Sequence, residues 1–221
     1  MQPFGKLCAF AVALCLSAAW PDIRAQSTVQ QADPSTALSQ SATGKPLRSP
    51  DVIYVPTPPE VVDAMLTVAN VRSGDVLYDL GSGDGRIPIT AVQKYKVARA
   101  TGIEINPERI EEAQRNLKGA GVGDRVRFRN EDLFEANFSD ATVVTLYLLP
   151  TLNVKLLPKL LKELKPGTRI VSHAFAMGDW KPERTLDIGG RAVYFWTIPA
   201  RGTQAYAAAS AAAGAGGLGP N

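Results

Sequence analysis

The 221-residue sequence predicts an α/β fold, with a mostly parallel sheet and helices on both faces. Strand-like and helix-like segments alternate along the domain, residues 51–201, which is typical of consecutive βα units. The segment 142–149 is almost wholly apolar and begins with β-branched residues, as expected of a central strand buried on both faces. Two further strand-like segments are joined through Gly189-Gly190 and predict a hairpin. The sheet therefore ends with an antiparallel element.

The elements of the domain can be assigned in chain order. Thr57-Pro-Pro-Glu60 is typical of a capping box and opens a first helix that extends to about Ala69. The elements predicted after it are a strand over 75–80, a helix over 86–95, a strand over 98–104, a helix from 106 to about 119, strands over 125–130 and 142–149, a helix over 154–164, a strand over 168–174, and hairpin strands over 185–188 and 191–198. The carboxyl ends of the parallel strands meet along one edge of such a sheet, where ligands bind.

Three segments outside the domain differ from it in composition. Residues 1–25 carry a lysine ahead of a short apolar stretch and predict a signal peptide, or an N-terminal anchor if the segment is not cleaved. Residues 26–50 are rich in Ser, Thr, Gln, Ala and Pro and predict a disordered linker. Residues 202–221 form an Ala/Gly tract and predict a disordered tail. The chain is therefore expected to be exported to the periplasm, or to contact a membrane through its first residues.

Composition limits the kinds of site that the chain can hold. Cys8 and Cys15 are its two cysteines, and both lie in the signal-like segment, so cleavage would leave no disulfide and no cysteine ligand. With a single histidine besides, the sequence predicts no metal site. The net charge of +3 is too small to indicate a nucleic-acid partner. The oligomeric state stays open.

A glycine-rich turn after the first strand is the main functional signal. Asp79-Leu-Gly-Ser-Gly-Asp-Gly-Arg86 joins an apolar strand to a helix, and such a turn leaves backbone N–H groups free at the head of the helix. A dinucleotide-binding turn would carry its third glycine one position later. Asp79 and Asp84 would also repel a phosphate, whereas they favour a cationic ligand. S-adenosylmethionine is such a ligand, because it carries a sulfonium and an amino group and no phosphate.

Two more acids follow the next two strands. Glu104 ends the second strand and Asp132 follows the third, so both are expected on the same edge of the sheet as Asp79. An acid at the position of Glu104 is the usual partner of ribose hydroxyls. Each acid alone could be a solvated loop carboxylate, but together with the glycine turn they predict one ligand crevice.

The run from Asp79 to Arg86 resembles motif I of the class I S-adenosylmethionine-dependent methyltransferases, and Glu104 and Asp132 match the next two acidic positions. The resemblance implies a Rossmann-like fold with a seven-stranded sheet, S-adenosylmethionine as methyl donor and no metal. It also implies that the turn lies near the methionine moiety, Glu104 on the ribose and Asp132 near the adenine.

A narrower resemblance involves Tyr54-Val-Pro-Thr-Pro58, Glu131-Asp132-Leu133 and Leu148-Leu149-Pro150. These motifs are similar to those of the small protein-lysine methyltransferases that modify the ATP synthase c subunit and the adenine nucleotide translocator, a group distantly like the Dot1 histone lysine methyltransferases. The similarity implies a protein-lysine substrate and a lid over the cofactor. The implied cofactor-binding residues are Tyr54, Thr57, Asp79, Gly81, Ser82, Gly83, Gly85, Glu104 and Asp132.

The candidate catalytic residues are Tyr147 and His173, near the carboxyl ends of their strands, although the first could be a core aromatic and the second a structural histidine. Enzymes that methylate amino groups of nucleic acids carry Asn/Asp-Pro-Pro-Tyr/Phe after the fourth strand, where this chain has Leu148-Leu149-Pro150. A protein acceptor is therefore favoured over nucleic acid. A small-molecule methyltransferase is one alternative. An exported binding module that kept the fold is another, because little S-adenosylmethionine is available outside the cytoplasm.

Overall fold

The computed structural model describes residues 47–51 and 53–215, and within them five helices accompany seven strands. In chain order the elements are α1 (Pro59–Val68), β1 (Val76–Leu80), α2 (Arg86–Tyr95), β2 (Arg99–Glu104), α3 (Pro107–Ala120), β3 (Val126–Asn130), β4 (Val143–Leu146), α4 (Pro150–Glu163), β5 (Arg169–His173), β6 (Arg184–Asp187), β7 (Ala192–Thr197) and α5 (Gln204–Ala215). The predicted signal segment and most of the predicted linker lie outside the described residues.

The strands form one sheet in the order β3-β2-β1-β4-β5-β7-β6. The five strands from β3 to β5 are parallel to one another, whereas β7 is antiparallel to both β5 and β6. The strand order reverses between β1 and β4, and in open α/β sheets the crevice at such a switch point binds ligands. The predicted fold class is confirmed, including the antiparallel hairpin at the end.

Each face of the sheet carries its own apolar core. Val143 and Val171 pack with residues of α1, α2 and α3 on one face, while their neighbours Val144 and Ile170 pack with α4 and α5 on the other. This division follows from the period-2 geometry of a strand, which sends successive side chains to opposite faces. Because both faces are covered, the central strands are apolar at nearly every position, as β4 is.

The boundary between β4 and α4 differs from the prediction of a strand over 142–149 and a helix from 154. The strand ends at Leu146, and α4 begins at Pro150. Proline suits a first helical turn, because its φ is already helical and its missing N–H would have no partner there. The intervening residues 147–149 are therefore free of the sheet and pass along its carboxyl edge.

The start of α1 also differs from the predicted capping box. Its N-cap is Pro58, and no side chain caps the helix. Pro58 and Pro59 have no backbone N–H, so a threonine cap would have little to satisfy. The Thr57 hydroxyl instead lies 3.3 Å from Nδ1 of His173, which ties the segment before α1 to the end of β5.

The predicted disordered tail is wrong over Gln204–Ala215, which form α5. Ala209 and Ala212 are buried in the core on the side of α4, and the Tyr206 hydroxyl donates to the carbonyl of Leu161 in α4. Alanine has the highest helix propensity, and its small side chain allows α5 to approach α4 closely. No helix among the described residues is both long and apolar enough to cross a bilayer.

Candidate functional site

A cavity of about 110 Å³ lies at the carboxyl edge of the sheet, beside the ends of β1, β2 and β4. Of the predicted cofactor-binding residues, all but Gly83 and Gly85 line it. The candidate Tyr147 lines it as well, whereas the candidate His173 does not. The cavity therefore brings together most of the predicted site residues, although they lie between positions 54 and 147 of the chain.

Gly83 and Gly85 face protein side chains. Both have positive φ, at 52° and 79°, which favours glycine. A Cβ on Gly83 would lie 2.1 Å from Cε2 of Tyr54, and one on Gly85 would lie 2.2 Å from Cζ of Phe128. These glycines allow the turn to be covered by aromatic rings, and for Gly83 the ring belongs to the predicted lid.

Asp79 is the acid of the cavity whose negative charge is balanced least by neighbouring groups. Its carboxyl is 2% exposed, and Oδ1 accepts a hydrogen bond from the Thr145 hydroxyl at 2.6 Å. Among the described residues no cation pairs with it. Burial raises the pKa of Asp79 to about 7, and the nearby carboxylates of Glu104 and Asp84 act in the same direction, against the hydrogen bond from Thr145. Such a group is suited to a cationic ligand, whose charge would favour the ionised carboxylate.

Glu104 connects the glycine turn to the end of β2. Its Oε2 accepts from the N–H of Gly83 at 3.0 Å, and its Oε1 accepts from the N–H of Asn106 at 2.9 Å. Both oxygens are thus held in place beside the cavity by backbone donors. The position of the carboxylate is set by the fold and does not depend on a bound ligand.

Two hydroxyls of the cavity wall have no hydrogen-bond partner among the described residues. They are the buried oxygens of Tyr54 and Ser82. Buried polar groups in native proteins are nearly always paired, so these two mark a place where a polar ligand would supply the missing partner. Burial, followed by the charge of Asp84, also raises the pKa of Tyr54 to about 12, which keeps its hydroxyl protonated.

Arg86 fastens the glycine turn to the segment before α1. Its Nη2 lies 2.6 Å from Oδ2 of Asp84, and its Nη1 donates to the carbonyl of Thr57 at 2.9 Å. Burial works to raise the pKa of Asp84, but the Arg86 guanidinium holds it below its ordinary value. The turn and the predicted lid are therefore one connected unit.

Arg48 is a cavity residue that the sequence did not reveal. Its Nε lies 2.5 Å from Oδ2 of Asp132 and its Nη2 lies 3.2 Å from Oδ1, while the guanidinium lies 5.5 Å from the ring centroid of Phe134. The predicted linker, in which it falls, has no apolar periodicity to signal a contact. Burial works to raise the pKa of Asp132, and Arg48 holds it low. Arg48 thus covers the acid that the resemblance places near the adenine.

Tyr147 and His173 lie one behind the other. The ring centroids are 3.9 Å apart, and Tyr147 faces the cavity while His173 is 3% exposed. Burial, with a smaller effect of Arg191, lowers the pKa of His173, so the imidazole is neutral at neutral pH. The structure brings Tyr147 to the cavity and places His173 as its support. Among the described residues no group of acids, histidines and cysteines is arranged to hold a metal.

Most of the domain is similar in sequence to known proteins. The family profile described as the ANTKMT methyltransferase domain matches residues 79–184, which include the glycine turn, both later acids and Tyr147. A protein-lysine N-methyltransferase of Saccharolobus islandicus (strain REY15A) is 50% identical over 139 residues, which cover 63% of this chain and 86% of that protein. The chain belongs to the ANTKMT methyltransferase family. The adenine nucleotide translocase lysine N-methyltransferase of Mus musculus is 32% identical over 157 residues, covering 71% of this chain and 67% of that protein.

A solved structure supports the same conclusion about fold and cofactor. The RNA methyltransferase from Salinibacter ruber, in complex with S-adenosyl-L-homocysteine, is 57% identical with a TM-score of 0.66, and the match covers 68% of this chain and 97% of that one. This ANTKMT-family member is therefore an S-adenosylmethionine-dependent methyltransferase with a class I fold. The predicted family, enzyme class and methyl donor are confirmed.

Proposed function

We propose that this methyltransferase modifies the side-chain amine of a lysine in a protein. The observation that carries the proposal is the 50% identity to the Saccharolobus protein-lysine N-methyltransferase over most of the length of that protein. The mouse relative with 32% identity also acts on a lysine, by its name. Two relatives of such different origin with the same acceptor group support a lysine acceptor here.

The residues proposed to hold S-adenosylmethionine are those that the sequence singled out. Asp79 would complement the positive charge of the ligand, and the unpaired hydroxyls of Tyr54 and Ser82 would hydrogen bond to its polar groups. Glu104 is proposed for the ribose and Asp132 for the adenine. The cavity is smaller than the roughly 300–1,000 Å³ of usual small-molecule sites, so Arg48 and the lid would move aside as the ligand enters.

The reaction makes few demands on the protein. S-adenosylmethionine, when bound, supplies a methyl group that the lone pair of the lysine nitrogen takes as the bond from carbon to sulfur breaks. The chain has to align the nitrogen at near-attack distance and to exclude water. Tyr147 is the residue placed to do both, because its ring borders the cavity and is held from behind by His173.

The acceptor amine must also lose its proton before it can attack. An apolar, water-poor environment lowers the pKa of a lysine, and the proton then leaves to solvent. Leu148 and Ile87 provide apolar wall to the cavity. His173 is proposed as a positioning residue for Tyr147 and not as the base, since Tyr147 separates its ring from the cavity.

RNA is the second candidate acceptor, because the Salinibacter structure carries the name of an RNA methyltransferase at 57% identity. Two features of this chain favour protein. The motif after β4 is Leu148-Leu149-Pro150, unlike that of enzymes that methylate amino groups of bases. The net charge of +3 also provides little attraction for a polyanion.

The acceptor can be identified with S-adenosylmethionine carrying a labelled methyl group. The purified protein is incubated with a cell extract, and the product is divided between protease and ribonuclease treatment. We expect the label to be released by protease and, after acid hydrolysis, to co-elute with methyl-lysine. Label released by ribonuclease instead would overturn the proposal in favour of RNA, and Asp79→Ala provides the inactive control.

A further inference from the structure

Three large apolar side chains are exposed in the part of the chain that the structure describes. They are Ile53 at 91%, Val55 at 56% and Leu149 at 44%, and we call them the apolar collar. Ile53 and Val55 line the mouth of the cavity, and Leu149 directly follows Leu148, which also lines it. Single exposed apolar residues are common on protein surfaces, but a group of them at one functional site marks an interaction surface.

The collar results from how the two segments at the mouth are folded. In the segment before α1, Tyr54 points inward onto Gly83, so its neighbours Ile53 and Val55 are directed away from the turn. Leu149 is the N-cap residue of α4 and lies three positions after the last residue of β4, so it is outside the sheet. Both segments therefore present apolar side chains that the fold itself does not bury.

The charges around the cavity leave little to attract a charged partner. The ion pairs are those of Asp51 and Asp132 with Arg48, of Asp84 with Arg86, of Glu131 with Arg129, and of Glu112 with Arg109. Glu104 is engaged by two backbone N–H groups, and Asp79 is buried at the bottom. Because these charges are paired or buried in the empty site, recognition at the mouth is expected to rely mainly on apolar contact.

We propose that the apolar collar binds apolar residues that flank the acceptor lysine in the substrate protein. The occupant is the acceptor segment, because two collar residues line the cavity in which the methyl group would be transferred and the third directly follows a lining residue. This inference rests on the proposed lysine methylation and specifies its substrate class: a lysine within a few residues of large apolar side chains. If the residues that flank the acceptor lysine were charged, they would not cover the apolar collar, which would stay exposed to water.

Synthetic peptides with one lysine test the collar directly. Three peptides carry Leu, Ser or Glu on both sides of that lysine, and kcat and KM are measured with the full-length protein. We expect the Leu peptide to have the highest kcat/KM. Leu149→Asp should raise KM for the Leu peptide by about tenfold or more, since a buried leucine contact is lost, and should leave KM for the Ser peptide nearly unchanged.

The matched control is Gln114→Asp, which adds the same charge at an exposed position of α3 and should change neither KM. Leu149→Asp should also bind S-adenosylmethionine like the wild type in calorimetry, which shows that the variant is folded. Ile53→Asp provides an independent second variant from the other segment. Its effect on the Leu peptide should follow that of Leu149→Asp.

The possible failures can be told apart. If wild-type protein methylates the three peptides equally well, the collar does not read apolar flanks and the inference is wrong, although lysine methylation stands. If no lysine peptide or protein is methylated at all, the proposed function itself fails. Sedimentation of wild-type protein but not Leu149→Asp with phosphatidylcholine vesicles, or dissociation of a dimer by Leu149→Asp, would assign the collar to a lipid surface or a second copy and overturn the inference.

Discussion

Two buried aspartates at the two ends of β1 have opposite electrostatic environments. Asp75, at the amino end, accepts hydrogen bonds of 2.8 Å from both the Thr142 hydroxyl and the N–H of Arg72, and it pairs with Arg169. Asp79, at the carboxyl end, accepts one hydrogen bond from Thr145. Both are less than 5% exposed, so burial alone does not distinguish them.

The pKa values of the two acids move in opposite directions. Burial works to raise the pKa of Asp75, but hydrogen bonds from Thr142 and Arg72 and the charge of Arg169 bring it below its ordinary value. Burial raises the pKa of Asp79 to about 7, because the protein supplies no cation. At the amino edge of the sheet the protein supplies the cation that balances Asp75. At the carboxyl edge it supplies none for Asp79, and a ligand would have to do so.

The largest expected effect is that of Asp75→Asn on stability. The variant leaves the Arg169 guanidinium, whose side chain is only 14% exposed, without its counter-ion, which costs about 3–5 kcal/mol of unfolding free energy. Urea denaturation measures the loss. The control is Asp140→Asn, which breaks an exposed pair with Arg99 and should cost about 0–1 kcal/mol. Equal losses of unfolding free energy in the two variants would show that the Asp75–Arg169 pair contributes no more than an exposed surface pair.

Asp79→Asn should weaken ligand binding and stabilise the fold, whereas Asp75→Asn mainly destabilises the fold. S-adenosylmethionine binding should weaken by about 10- to 100-fold, as expected for the loss of an interaction with a charged group. The fold, by contrast, should become more stable above pH 7, on the order of 2–4 kcal/mol, since an acid with a raised pKa costs the native state stability as pH rises from about 4 to beyond 7. Calorimetry and denaturation at pH 4 and pH 8 check both parts. Unchanged affinity in the variant would show that Asp79 does not meet the ligand.

The opposite pKa shifts of Asp79 and Asp75 should also be visible in the pH dependence of the wild-type protein. Asp79 has to lose its proton to complement a cation, so affinity for S-adenosylmethionine should rise by about tenfold between pH 5.5 and 7.5. Asp79→Asn should show a flat profile over this range. A wild-type profile as flat as that of the variant would mean that Asp79 is already ionised in the empty site. Asp75, whose pKa is lowered, contributes stability that is lost only as pH falls below about 4.

The smallest effects are expected from the two threonines of the β4 strand region. Thr145→Val removes the hydroxyl that donates to Asp79, which should weaken S-adenosylmethionine binding by about 1 kcal/mol. Thr142→Val removes the equivalent donor to Asp75 and should lower the unfolding free energy by about 1 kcal/mol with no change in affinity. Measurement of both quantities on both variants tests whether the two ends of the sheet act separately. A loss of affinity in Thr142→Val would contradict that separation.

The parts of the fold and site that could be predicted are those with local signals. The glycine turn and the acids at the strand ends are defined by residue type and spacing, and the parallel sheet brings them together. Arg48 could not be predicted, because its contact with Asp132 joins residues 84 positions apart and its own segment has no periodicity. The same holds for α5, whose composition suggests a flexible tail and which is helical where Ala209 and Ala212 pack in the core.

Thr57 shows a third limit of sequence reasoning. A threonine followed by Pro-Pro-Glu is typical of a helix cap, and yet its hydroxyl contacts His173 on a distant strand. The Thr57 hydroxyl could either cap the helix or contact His173. The two prolines that follow have no backbone N–H groups for a cap to bind, and this favours the contact with His173.

The close fit between Gly83 and the ring of Tyr54 links two positions that are far apart in the sequence. Any side chain at residue 83 would occupy the space of that ring, and a smaller side chain at residue 54 would uncover the turn. Neither residue can change alone without opening or distorting the lid. Among relatives that keep this lid, positions 54 and 83 should therefore covary, and a relative with alanine at 83 should carry a residue smaller than tyrosine at 54.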